Sequence, residues 1–492
     1  MAEIANCETV VCMGAMISAR QVATVVGDFD RSPAYAGLAD ALRTAIGDGR
    51  IALQSRLPSE RDLTDVLSVS RTTVTRAYAE LREAGYAEAR RGAGTFTRVP
   101  HGRERAHDRL VAPYDPTGNT VDLVCAAGAA PPGVLAAYQA ALDDLPAHLG
   151  NHGYFPTGLP ALREVIAACY DAQGLPTDPD QVIITPGAQS AGAITAMALL
   201  SAGERALVET PVYPNTPQVL RRAGARLVPL PLGPAGWDLE SAAATVRQTA
   251  PAVAYLIPDF QNPTGALMSD ADRAGMADLL ARTRTVPVID EAERALLLDD
   301  RAMPLPFAAY SADTVSLGSA SKTFWGGLRV GWIRAPHHLV PRLIQARLSL
   351  DLGVAVLEQL TLTRILSDPE PLLAVQRNRL RTQRDHLVAL LGDQLPQWRF
   401  TVPAGGLVLW CELPAPAAVA VAAEAERRGA PVAPGPTFAV EGGLGRHIRI
   451  PWTRSVEDLS TGVARIAEAW SHAGHVEHAT ALPGTDGRVM VA

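Results

Sequence analysis

Lysine occurs once in the 492 residues, as Lys322; the other 43 of the 44 basic side chains are arginine. A background this biased accepts arginine wherever charge and length suffice. A retained lysine therefore points to a task that arginine cannot perform. Arginine stays protonated, whereas a lysine amine can shed its proton and attack a carbonyl. The chemistry this suggests is a Schiff base. Chance retention is the bland alternative, and the neighbours of Lys322 must decide.

Those neighbours read SLGSASKTFWGGLRVGW. Val315 to Leu317 form a short apolar strand, Ser319 and Ser321 set hydroxyls beside the lysine, and Gly326-Gly327 turn the chain before Arg329. Hydroxyls, backbone N–H groups and an arginine make a cup for a phosphate. A Schiff-base lysine beside a phosphate cup suits pyridoxal phosphate.

Other parts come earlier in the chain. The apolar strand Val182–Thr185 leads through Pro186, Gly187, Ala188 and Gln189 into a helix rich in Ala, Leu and Met. A helix N-terminus reached through glycine favours an anion. The apolar run 206–210 ends near Tyr213, whose ring suits stacking on a flat cofactor. Ala254–Ile257 runs into Asp259, Gln261 and Asn262, and the Asn262 amide can donate to a ring O3′. Val286–Ile289 delivers Asp290 at a strand end. A carboxylate there is costly to bury unpaired and makes sense opposite a protonated ring nitrogen.

The pieces NHGYFPTGLPALR, PGAQ, NPTG, IDEA and SASKTFWGGLRVG resemble, in order and spacing, the fold-type-I pyridoxal-phosphate enzymes of the aspartate aminotransferase superfamily. The resemblance spans roughly Val121 to Ala469 and implies an α/β body with a smaller α+β C-terminal subdomain. It implies that Lys322 forms the internal aldimine, Asp290 pairs with the ring nitrogen, Asn262 with O3′, and Tyr213 stacks on the ring. Gly187, Ala188, Gln189, Ser319, Ser321 and Arg329 would surround the phosphate. Arg449, in HIRIPW, would bind the α-carboxylate of a substrate or effector, and Tyr154 would reach the partner subunit's site. One position departs: superfamily members usually carry a tyrosine two or three residues past the ring aspartate, where Ala292 and Glu293 stand here.

The elements before the body have another character. Residues 31–98 hold 11 arginines against 8 acids, a positive excess in a chain of net charge -7. Tyr35 to Gly49 places Leu38, Leu42, Ala45 and Ile46 on one helical face. Ser59 is a fitting N-cap for a helix through Leu63 and Val66. Ser68-Val69-Ser70 turns into a third helix with a core face of Val74, Ala77, Tyr78 and Leu81. Its opposite face carries Arg71, Thr72, Thr75 and Arg76, the pattern of a recognition helix. Residues 86–97 read as a two-stranded wing with Arg90 and Arg91 at a glycine-rich tip, placed to meet a phosphate backbone or minor groove.

The marks LADALRTAI, LPSERDL, VSRTTVTRAY and RRGAGTF resemble the winged helix-turn-helix of GntR-family bacterial regulators. That resemblance implies DNA contacts by Arg61, Ser70, Arg71, Thr73 and Gly94, beside the Thr72, Arg76, Arg90 and Arg91 read from the residues.

The remaining sequence bounds the picture. Hydrophobic residues make up 48%, enough for large cores. Five scattered cysteines without metal-ligand spacing fit a reducing compartment, and no metal is expected. No run approaches a membrane span, so a cytoplasmic location is expected. The expected organisation is a lead over 1–30, a winged helix over 31–98, a linker over 99–120, a large cofactor domain over 121–334, a small subdomain over 335–473 and a loose tail over 474–492.

A GntR winged helix ahead of an aminotransferase-like body resembles the MocR subfamily of transcriptional regulators. That implies a head-to-tail, domain-swapped homodimer reading repeated half-sites on double-stranded DNA. It also implies a body that senses pyridoxal phosphate, or an amino compound that forms an external aldimine. The alternative is a working aminotransferase with an appended DNA-binding domain.

Overall fold

The computed structural model describes residues 17–47, 51, 55–90, 93–98 and 119–473. They form two compact units, an N-terminal one and a much larger body. Most of the expected linker, the expected tail and Arg91 lie outside the described residues.

In the N-terminal unit, helices Ala34–Gly47, Glu60–Leu67 and Arg71–Glu83 pack around Leu38, Leu42, Ile46, Leu63, Val74, Ala77, Tyr78 and Leu81. Ser59 and Ser70 cap the second and third helices, their hydroxyls accepting from the N–H of Asp62 and Thr73. The helix runs through Leu63 and Val66 as expected; Val66 is 40% exposed, and Leu63 and Leu67 are its buried residues. The spacing from Leu63 to Leu67 is one turn of helix, which keeps both on one side.

A further helix, Ala19–Val26, buries Val22 and Val26 in the same core. The unit therefore begins before residue 31, the boundary expected from sequence. Polar residues around this short apolar pair hide its period, and Ser18 and Gln21 form its capping box. The wing pairs Ala87–Arg90 with Gly94–Thr97. Ser55 to Leu57 lies along the free edge of Gly94–Thr97, joined by the Thr97 and Leu57 N–H groups. Gly94 sits at φ +110°, and a Cβ there would come 2.9 Å from Nε of Arg56.

Among the described residues, the body holds an eight-stranded sheet. Its spatial order is Val182–Thr185, Gly331–Arg334, Val315–Ser319, Val286–Asp290, Val253–Leu256, Arg205–Thr210, Arg226–Gly233, Gly236–Trp237. The five strands from Val315–Ser319 to Arg226–Gly233 run parallel, and Gly331–Arg334 runs against both its neighbours. The central strands Val253–Leu256 and Val315–Ser319 are buried throughout, which explains their unbroken apolar runs. In such sheets the crevice at the C-terminal strand ends takes the ligand.

A three-stranded antiparallel sheet of Val408–Glu412, His447–Pro451 and Ala433–Pro434 makes the smaller subdomain with helices Glu370–Gln394, Ala418–Arg427 and Val456–Ala473. Val121 and Leu123, expected in the large domain, pack in the core of this subdomain and bond to the Gly429 and Pro431 carbonyls. Their apolar side chains are buried by chain some three hundred residues away, a partnership that local pattern does not show.

Candidate functional site

A cavity of about 520 Å³ opens at the C-terminal strand ends of the large sheet, and Lys322 lies on its wall. Val315–Ser319 delivers Ser319, and a tight turn sets Ser321 and Lys322 just beyond it. The Lys322 amine donates to the Ala126 carbonyl at 3.2 Å. Burial lowers its pKa from the usual value, against the pull of Glu293 and Asp290. A lysine so placed has a larger neutral, nucleophilic fraction.

The strand Val182–Thr185 ends in Gly187, which caps helix Ala188–Leu199 without any side-chain cap bond. The first N–H groups of that helix are thus left for a ligand. Gly187 lies at φ +93°, and a Cβ there would meet Nη2 of Arg329 at 2.9 Å. Arg329 donates to the Pro186 carbonyl at 2.9 Å, which fixes it beside this helix end. Ser319 Oγ accepts the Ser321 N–H at 3.2 Å, while Ser321 Oγ is buried without a partner among the described residues. Ala188, Gln189, Ser319, Ser321 and Arg329 all line the cavity.

Asp290 ends its strand on the same cavity. Its Oδ2 accepts from the Tyr255 hydroxyl at 2.9 Å and its Oδ1 from the Ala292 N–H at 3.0 Å. Burial raises its pKa, and these two bonds and Lys322 hold it down. Tyr255 was not singled out from sequence. Its signal was a hydroxyl in an otherwise apolar buried strand, which must find a partner. The Tyr213 hydroxyl accepts from Asn215 Nδ2 at 2.7 Å, so Asn215 is a second positioning group that sequence did not flag.

Asn262 is set by a polar scaffold beneath it. Gln261 donates to Glu209 at 3.1 Å and to the Pro211 carbonyl at 2.7 Å. The preceding Asp259, fully buried, pairs with Arg273 at 2.6 Å and Arg294 at 3.1 Å. Asn262 Oδ1 accepts from Arg449 Nη1 at 3.1 Å, leaving its amide N–H groups free to donate.

Arg449 differs from expectation. It is fully buried, its two Nη atoms go to Asn262 and the Val124 carbonyl, and it is not among the side chains lining the cavity. The strand pairing of Arg449 with Trp410 and Ala433 holds it behind Asn262. Instead Glu293 lines the cavity, in the region where a tyrosine was expected. Burial pushes its pKa up to about 7 against the opposing pull of Lys322 and Arg449. Tyr154 is 58% exposed, stacked on His152 at 5.6 Å, and outside the cavity lining.

In the N-terminal unit Arg61, Arg71, Thr72 and Arg76 are exposed together. Arg71 lies 3.7 Å from Glu60, and Thr75 donates to the same carboxylate at 2.8 Å. Arg76 stacks over the Tyr35 ring at 3.7 Å. Ser70 and Thr73 bond to each other at the helix start. Arg90 is half-buried, tied to Glu88 at 2.7 Å and laid over Phe96, which turns it along the wing rather than outward.

Residues 127–466 match the family model of aminotransferase class I and II, and residues 34–97 match that of the bacterial regulatory proteins of the gntR family. The chain belongs to the aminotransferase class I and II family and carries a GntR helix-turn-helix ahead of it, a combination consistent with the MocR subfamily. It is 27% identical over 467 residues to the uncharacterized HTH-type transcriptional regulator YisV of Bacillus subtilis, covering 89% of this chain and 96% of that one. It is 28% identical over 340 residues to the probable rhizopine catabolism regulatory protein MocR of Rhizobium meliloti, covering 62% and 66% respectively. The body superposes on the Thermus thermophilus α-aminoadipate aminotransferase LysN, complexed with N-(5′-phosphopyridoxyl)-L-leucine. The TM-score is 0.66 at 27% identity, over 72% of this chain and 93% of that one.

The family is pyridoxal-phosphate dependent, and the residues here fit that cofactor. An uncapped helix N-terminus with an orphan serine hydroxyl and an arginine suits a phosphate, and a buried carboxylate suits a ring N–H. Among the described residues no helix is long and apolar enough to cross a membrane.

Proposed function

We propose that the protein is a DNA-binding transcriptional regulator whose body holds pyridoxal phosphate at Lys322 and senses the cofactor or an amino compound that reacts there. The observation that carries this is the joint presence of a GntR winged helix and a cavity lined by Lys322, Asp290, Ser319 and Arg329. When bound, the cofactor supplies an electrophilic carbon and an electron-withdrawing ring.

This chain's residues then divide the work. Lys322, its pKa lowered by burial, provides the amine. Asp290, oriented by Tyr255 and the Ala292 N–H, would accept the ring N–H. The Asn262 amide, fixed from behind by Arg449, donates to the ring oxygen. Ser321, Arg329 and the helix end at Gly187 would hold the phosphate, and Tyr213 would cover the ring. On DNA, Arg61, Arg71, Thr72 and Arg76 meet the duplex with Ser70, Thr73, Gly94 and the wing arginine Arg91, while Arg90 braces the wing. A homodimer reading repeated half-sites, head-to-tail as in the subfamily, completes the reading.

An effector changes transcription only if it binds two states of the protein unequally. The test is operator binding by the cofactor-loaded chain with and without amino compounds, alongside an assay for keto-acid release. A shift in operator affinity without turnover is expected. Many turnovers with a common amino acid and no effect on operator affinity would replace this reading by the aminotransferase one.

A further inference from the structure

We propose that the ligand read by this cavity is an amino compound carrying a second, cationic group, an ammonium or amidinium, and that Glu293 receives it. This rests on the reading above that an amino compound is sensed at Lys322.

The charged groups of the cavity leave Glu293 as the one without a task. Asp290 is engaged by Tyr255 and the Ala292 N–H. Arg329 is anchored at the Pro186 carbonyl beside the phosphate end. Arg449, the expected receiver of a carboxylate, is withdrawn behind Asn262 with both Nη atoms used. Glu293 remains, 6% exposed, on the cavity wall, with Oε2 buried and without a partner among the described residues.

A buried carboxylate oxygen with no donor is costly, and a charged donor satisfies it best. Lys322 and Arg449 are the nearby cations, but the Lys322 amine donates to the Ala126 carbonyl and would be taken up by the cofactor, and the Arg449 Nη atoms go to Asn262 and the Val124 carbonyl. Neither cation hydrogen-bonds Glu293 Oε2 among the described residues, so a cationic group on a ligand is a fitting donor for it. The backbone packs closely on one side of Glu293. A Cβ at Gly406 would lie 2.9 Å from Glu293 Oε2 and 2.7 Å from Phe260 Cβ. One at Gly405 would lie 2.3 Å from the Leu296 carbonyl oxygen. Gly406 thus lets the backbone close on the carboxylate, and Gly405 lets it pass the Leu296 carbonyl. A ligand with a second carboxylate would instead face Glu293 and Asp290 together, a like-charge penalty that excludes it.

The test uses the full, cofactor-loaded chain and three probes: L-lysine, the uncharged isostere L-norleucine, and L-glutamate. Each is titrated against the visible spectrum of the bound cofactor and against operator affinity. L-lysine should bind at least tenfold more tightly than L-norleucine, with L-glutamate weakest. Glu293→Gln should reduce the lysine-to-norleucine ratio to below about threefold. Equal binding of lysine and norleucine by the unaltered chain overturns the proposal without any variant. So does a preference that survives in Glu293→Gln. If no amino compound moves either signal, the amino-compound reading itself fails, and this inference with it. If amino compounds bind without preference for the cation, the inference alone fails.

Discussion

Helix Arg71–Glu83 turns Val74, Ala77, Tyr78 and Leu81 into an apolar core and leaves Arg71, Thr72, Thr75 and Arg76 in solvent. The body does the reverse with the groups that matter there. Asp290, Glu293, Asn262 and Arg449 are all buried, and Lys322 is half-buried on a cavity wall. A surface that meets DNA needs charged groups in solvent, where pairing with phosphates releases the counterions of the duplex. A site that forms a covalent link needs an amine made nucleophilic and carboxylates held in chosen protonation states, which burial provides. One chain thus uses polar residues in two regimes.

If the regimes are separate, damage to one should leave the other intact. Lys322→Ala carries the largest expected effect. Cofactor should no longer be trapped on the protein by borohydride reduction, while the winged helix keeps its thermal transition. Trapping at an undiminished level would remove Lys322 from the attachment. Arg71→Ala comes next: operator affinity should fall roughly tenfold, with a shallower salt dependence and an unchanged cofactor spectrum. An unchanged affinity would take Arg71 off the interface.

Glu293 sharpens the comparison through pH. Its folded pKa of about 7 lies above the ordinary 4.5, so without cofactor the folded state binds more protons than the unfolded one between those values. The favourable contribution is whole below about pH 4.5 and is lost as pH rises through about 7. Glu293→Gln should therefore gain about 1–3 kcal/mol over the parent at pH 8 and little at pH 5. Glu209, also pushed up to about 7 by burial, keeps part of the slope in the variant. A pH-independent difference would sink the assignment. The smallest effect belongs to Tyr78→Phe, which removes the bond to the Pro58 carbonyl at 3.0 Å. Unfolding of the N-terminal unit should ease by about 1 kcal/mol while the cofactor spectrum stays put. An altered cofactor spectrum would show that the units are coupled.

Much of this was legible in the residues because the signals are local. A period of 3.6 in Val74, Ala77, Tyr78 and Leu81 marks a core face wherever the helix packs, and unbroken apolar runs mark central parallel strands. Ser59 and Ser70 cap their helices through bonds spanning three residues. The helix Ala19–Val26 was missed because one buried turn gives too short a pattern.

The lone lysine, the strand-end aspartate, the serines and the glycine turns are written in the sequence, since each needs a residue type that no other supplies. Sequence therefore determined which chemistry the chain carries and the order of its parts. Tertiary structure decided which groups meet. Tyr255 reaches Asp290 from a neighbouring strand, and Arg449 crosses from the small subdomain to Asn262, 187 positions away. Both partnerships depend on strand register and packing, as does the exchange of a cavity arginine for Glu293. Those follow from burial of the whole core, a sum over distant residues that no local spacing records.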